Sequence, residues 1–110
     1  MCGCAEPDAG LNRFREWRSL PLDATEGRFA EVSILECLSC GHLWVRYQVE
    51  YEGIARSGQW ARGLIEARRA ASIRSEEVPG YLDGLASYLF GGSRFDGVPG
   101  TRSGPMLWGT

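Results

Sequence analysis

Cys37-Leu38-Ser39-Cys40-Gly41-His42-Leu43-Trp44 is a Cys-x-x-Cys-Gly turn that runs directly into a strand-like alternation. Two cysteines at this spacing grip one ion when the backbone between them turns tightly, and Gly41 supplies the positive φ that such a turn often needs. The N–H groups of the turn then point at the sulfurs and offset their negative charge. Upstream, Cys2-Gly3-Cys4 is a tighter pair with glycine as its spacer. The chain has 4 cysteines in all, so the simplest reading is one four-thiolate zinc site built from Cys2, Cys4, Cys37 and Cys40.

Three other readings of the thiols stand beside it. Structural disulfides need an oxidising compartment. A redox dithiol of the thioredoxin type belongs at a helix N-terminus, whereas Cys37 and Cys40 lead into a strand. Four unrelated thiols need no common site. His42 is a candidate to replace one cysteine as ligand; its rival role is a turn histidine that hydrogen-bonds a sulfur. It is the chain's single histidine, which leaves little from which to build a Ser-His-Asp or Cys-His machinery.

Outward from the turn, Leu43, Val45, Tyr47, Val49 and Tyr51 share one face of a strand, and Trp44, Arg46, Gln48 and Glu50 the other. On the other side, Phe29 to Leu38 is rich in β-branched and apolar residues and predicts the strand that delivers Cys37. The two should pair antiparallel as a hairpin. Gln59 to Ala67 reads as a third strand with Trp60, Arg62, Leu64 and Glu66 on one face; a helix over 59–71 stays open because alanine and arginine favour it. Leu11, Phe14, Trp17 and Leu20, spaced by threes, predict a short helix that Pro21 ends. Ser75-Glu76-Glu77-Val78-Pro79 looks like the start of a second helix, carried through Phe90 by Leu82, Leu85, Ala86 and Leu89 and stopped by Gly91-Gly92. From Ser93 to Thr110 the chain is glycine-rich coil with Phe95, Met106, Leu107 and Trp108 as anchors and room for a closing strand at 105–108. The expected fold is therefore α+β: a small zinc-ribbon-like antiparallel sheet of about three strands with one or two short helices and a Gly-rich C-terminal coil.

A chain of 110 residues fits a single domain, here 1–110, and its 15 glycines point to a small core that a metal would reinforce. All 12 basic residues are arginine and the formal net charge is −2, which argues against a general nucleic-acid binder. No apolar run approaches the roughly 18–20 residues that span a bilayer. The start, Met1-Cys2-Gly3-Cys4, lacks the basic and apolar regions of a signal peptide, so no membrane association and a cytoplasmic address are expected.

The Cys-x-x-Cys-Gly-x-x-Trp turn with its flanking strands resembles a zinc ribbon over Cys2–Cys4 and Phe29–Tyr51; that resemblance implies structural zinc on Cys2, Cys4, Cys37 and Cys40. Ser-Gly-x-Trp at 57–60 and Gly-Gly-Ser-x-Phe at 91–95 are similar to stretches of small uncharacterised bacterial proteins, some of them associated with immunity proteins that neutralise toxins.

For function, Trp44, Arg46, Trp60 and Arg62 are the candidate partner-binding residues, because aromatic and arginine side chains anchor protein interfaces. Arg56, Arg62, Arg68, Arg69 and Arg74 around Trp60 are the rival signal for nucleic acid. Glu31, Glu36, Glu50 and Glu52 oppose them in the neighbouring segment, and cross-strand pairs should answer much of that arginine charge. Glu50 and Glu52 read as surface charge, and Gly91-Gly92-Ser93-Arg94-Phe95 lacks the lysine of a phosphate loop. The expectation is a non-enzymatic, zinc-stabilised protein-binding module with a protein partner, immunity-like in one form; the alternative is a zinc-ribbon nucleic-acid or transcription accessory protein.

Overall fold

The computed structural model describes residues 2–51, 53–106 and 108. They form one antiparallel sheet of six strands in sequence order: β1 (Phe14–Ser19), β2 (Glu31–Cys37), β3 (Leu43–Val49), β4 (Gln59–Leu64), β5 (Tyr88–Gly91) and β6 (Gly100–Arg102). Two short helices, α1 (Ala67–Ser72) and α2 (Val78–Asp83), fill the connection between β4 and β5. The architecture is thus mostly β. It corrects the expected α+β zinc ribbon of about three strands: the sheet is twice as wide, and the N-terminal cysteine pair comes from a 3₁₀ turn at Gly3–Ala5.

β2 and β3 behave as their alternation predicts. Val32 faces Tyr47, Ile34 faces Val45 and Leu35 faces Trp44 across the hairpin. One face of the sheet carries Val32, Ile34, Val45, Tyr47, Val49 and Ala61, all buried, with Ala70 of α1 and Val78 and Leu82 of α2 packed over it. The other face carries a smaller buried cluster of Phe14, Cys37, Trp44 and Leu89, closed by Cys4. β3 is therefore buried on its core face along its length and, on the other face, at Trp44, which packs with Cys4 of the N-terminal arm; Arg46 and Gln48 on that face are half-buried.

Three expected elements differ. The stretch from Leu11 to Leu20 is a 3₁₀ turn (Leu11–Arg13) followed by β1, not a helix. The pairing of β1 with β2 shifts between Glu16 and Arg18, a bulge that inserts Trp17. In an unbroken strand Phe14 and Leu20 would share a face; the extra residue sends Phe14 to the small cluster and Leu20 to the main core. A three-residue spacing thus arose from period two with one insertion. Arg18, turned to the helix side, donates to the carbonyls of Ala70 (2.8 Å) and Ile73 (2.9 Å) and caps α1.

The second expected helix stops at Asp83, and Tyr88–Gly91 becomes β5. Tyr88 then faces the main core and Leu89 the small cluster, so the apparent helical stripe is divided between two faces. Gly91 and Gly92 end a strand: the Trp60 indole lies against Gly91, and Gly92, at φ +120, lets its backbone approach that of Gly58 closely. The C-terminal stretch expected to be coil contributes β6 and returns Met106 to the main core, with the Trp108 ring 4.8 Å from that of Tyr47. The closing strand expected at 105–108 is instead at 100–102; Leu107 lies outside the described residues.

Among the described residues no helix is long and apolar enough to cross a membrane.

Candidate metal centre

The hairpin turn between β2 and β3 is held by Cys37 N–H donating to His42 O (3.0 Å) and Gly41 N–H donating to Cys37 O (2.9 Å). Gly41 takes φ +77, as the turn requires. The arm reaches it from the side: Ala5 N–H donates to Cys2 O (3.4 Å), which curls Cys2 and Cys4 into one short turn. Leu38 N–H donates to Arg13 O (3.0 Å) and ties the chain beyond the arm to the hairpin.

This brings together sulfurs that are 35 and 36 residues apart. Cys2 Sγ lies 3.4 Å from Cys37 Sγ, and Cys4 Sγ lies 3.5 Å from Cys40 Sγ. All four sulfurs fall within 4.8 Å of one another. A regular tetrahedron with metal–sulfur bonds near 2.3 Å has sulfur–sulfur edges of about 3.8 Å, so the group has the dimensions of a four-thiolate cage. The four thiols are free, and contacts of 3.4–3.5 Å are far longer than a covalent S–S bond of about 2.05 Å. Four cysteines thus lie close enough to hold a metal ion, as the spacing predicted. His42 stands outside the cage, its Nδ1 3.4 Å from Cys40 Sγ, in the position of a hydrogen-bond partner to a ligand.

The cage is graded in exposure: Cys4 (1%) and Cys37 (2%) are interior, Cys2 is half-buried and Cys40 is exposed. Its electrostatics divide the thiols. Burial opposes the Cys37 thiolate, but the N–H groups of Cys40 and Ser39 and the neighbouring thiols outweigh it and bring the pKa down to about 6. Burial, together with the Cys40 and Cys2 thiols, pushes Cys4 up to about 12. Without a cation the four cannot all ionise side by side. A divalent ion removes that conflict, which is the usual reason metal binding releases protons from such a cluster. A further feature fits a thiolate: the Trp44 indole N–H, buried in the same cluster as Cys4, favours the anionic form of that sulfur.

The four residues expected at a partner interface lie beside the cage, on the face the arm covers. Trp44 (4%) and Arg62 (1%) are buried and present no surface to a partner; Arg46 and Trp60 are half-buried. In the register, Trp44 opposes Leu64, Arg46 opposes Arg62, and Gln48 opposes Trp60. The expected cross-strand acid–base pairs between these segments are thus replaced by two arginines facing each other. Four other arginines are answered elsewhere: Arg15 by Glu36, Arg56 by Asp96, Arg69 by Glu77, and Arg74 by Glu76 and Glu77. Glu50 is exposed, and Glu52 lies outside the described residues.

Sequence reasoning missed two neighbours of the cage. Arg13 rests on Gly3, its guanidinium 3.0 Å from where a Cβ would stand. Phe14, read as a helix residue, packs with Cys4 and Cys37. The alternation of β1 around its bulge was the only available signal.

No family model matches the chain, and searches of curated proteins and of solved structures found no match.

Proposed function

We propose that the protein is a non-enzymatic binding module whose N-terminal arm is pinned to its sheet by a structural zinc ion, and that its partner is another protein. The observation that carries this reading is the four-sulfur cage, in which every position of a tetrahedral ion has a protein ligand. Such a site leaves no position for the water or substrate that a catalytic zinc needs. Thiolate sulfur and tetrahedral dimensions favour zinc among the available divalent ions.

A protein partner is favoured over nucleic acid by where the charge and the exposed apolar side chains lie. Most of the arginines named above are engaged within the chain. At the end of the sheet remote from the cysteines, Phe29 (67% exposed) and Ile54 (50% exposed) flank Tyr51 in a cleft of about 580 Å³ that also carries Glu31 and Glu50. An acidic, apolar cleft repels phosphate and suits a protein surface with apolar and basic side chains. Neutralisation of a toxin by occlusion, as the immunity-like resemblance implies, is one form such binding would take.

Metal analysis of the purified protein should return one zinc per chain, and affinity capture should recover a partner that a Phe29→Ser/Ile54→Ser variant loses. Salt-sensitive binding to DNA or RNA, with no protein recovered, would overturn the partner assignment.

A further inference from the structure

Arg62 is the least expected residue of the interior. It is 1% exposed in the middle of β4, and among the described residues no carboxylate lies within ion-pair distance of it. Its guanidinium sits 5.0, 5.4 and 5.3 Å from the ring centres of Phe14, Trp44 and Trp60. One nitrogen donates to Glu6 O at 3.3 Å, and Nε has no partner. Directly across the strand stands Arg46, a like charge. Buried charges are normally paired with an opposite charge or bound to a metal, and arginine cannot discharge itself at neutral pH. The aromatic faces recover part of the cost of burial. They supply no net negative charge.

Two of the rings that hold the guanidinium, Phe14 and Trp44, pack with Cys4 and Cys37 in one buried cluster, and Glu6, whose carbonyl accepts from it, lies two residues past Cys4. As a free thiol Cys4 carries no charge; as a metal thiolate it is negative. Four thiolates around a divalent ion form a dianion. On its outer side the arm's Gly3, between Cys2 and Cys4, carries the guanidinium of Arg13 against its bare Cα. One arginine therefore lies among the rings that pack with Cys4 and Cys37, and one against the arm that carries Cys2 and Cys4.

We propose that Arg62 and Arg13 are the counter-charges of the metal centre: together they neutralise the dianion formed by a divalent ion on Cys2, Cys4, Cys37 and Cys40, and so set the site's affinity and its preference for the more negative of two charge states. This rests on the metal reading above. It explains why a buried cation faces another across the sheet with no acid beside it among the described residues. It also explains why an arginine occupies a position the sequence offers to a partner.

The test uses the full chain and its Arg62→Met, Arg62→Lys and Arg13→Met variants, loaded with zinc and, separately, with iron. Competition against a chromophoric chelator should show zinc bound roughly ten- to a hundredfold more weakly by Arg62→Met, the range typical of outer-shell changes. Arg62→Lys should recover most of that loss. With iron, removing a positive charge disfavours the dianionic ferrous centre relative to the monoanionic ferric one, so the reduction potential should fall in Arg62→Met and in Arg13→Met. A defect of packing alone would give no such signed shift and no rescue by lysine. If Arg62→Met does not fold, Arg13→Met, whose side chain is exposed, decides the question. Folded variants with zinc affinity within twofold of wild type and an unchanged iron potential would overturn the proposal while leaving the metal site intact. A wild-type chain that takes up no metal would overturn both.

Discussion

Stripping the metal should release the arm and leave the sheet standing. The main core lies on the opposite face, under α1 and α2, and no cysteine belongs to it. The small cluster depends on the arm: Phe14, Trp44 and Leu89 are at most 8% exposed, with Cys4, Ala5 and Ala9 packed against them. Full burial of such side chains contributes about 1.5–3 kcal/mol each. The arm covers only their outer side, so its release should cost about 1 kcal/mol per side chain, or about 3 kcal/mol for the three. At about 4–8 °C per kcal/mol for a domain near this size, the melting temperature should drop by about 12–24 °C. The assay is a thermal melt by far-UV circular dichroism with and without excess chelator, together with Trp44 accessibility read by fluorescence quenching. At 25 °C the stripped protein should keep most of its β signal while Trp44 becomes accessible. An unchanged melting temperature with Trp44 still protected would refute the idea that an ion holds the arm. Complete loss of β structure at 25 °C would refute the claim that the main core stands by itself.

Two further outcomes follow from particular contacts. Asp23 is 4% exposed; burial raises its pKa, but Thr25, the Tyr47 hydroxyl and Arg28 outweigh that and hold it below the usual carboxylate value. A depressed carboxylate pKa contributes stability that is present above the unfolded value near 3.9 and lost as pH falls through the folded value. The wild type should therefore lose stability as pH drops below about 4; Asp23→Asn should be less stable by about 1–3 kcal/mol at pH 7 and show a flatter acid limb in denaturant titrations. Gly91→Val places a side chain where the Trp60 ring lies, since even a Cβ there would stand 2.7 Å from Cζ2; overpacking should cost about 1–3 kcal/mol and change the near-UV spectrum of the indole, and an unaltered spectrum would count against the stacking.

Much of the metal cage was legible in the sequence, because four cysteines in two short-spaced pairs admit few other uses and Gly41 marks the turn between the second pair. The hairpin of β2 and β3 was legible for the same local reason, an unbroken period of two. β1 was not, because the inserted Trp17 converts a strand's alternation into a spacing of three that imitates a helix. β5 was not, because Leu82, Leu85 and Leu89 form a helical stripe in sequence, although Leu82 and Leu89 lie in separate cores and the α2 turn ends at Gly84. Arg62 and Trp44 looked like surface anchors because residue type reports chemistry and not depth.

By itself the sequence determined which atoms can take a metal and which segment turns to present them, since both depend on residues close together in the chain. Only the tertiary structure decided that the N-terminal arm crosses one face of a six-stranded sheet, and that this face, which carries two arginines and two tryptophans, is half interior. The physical reason is that a strand's alternation separates two faces without saying what covers either. That depends on a chain segment some forty residues away in sequence, whose position is fixed by contacts it makes only after the fold has formed.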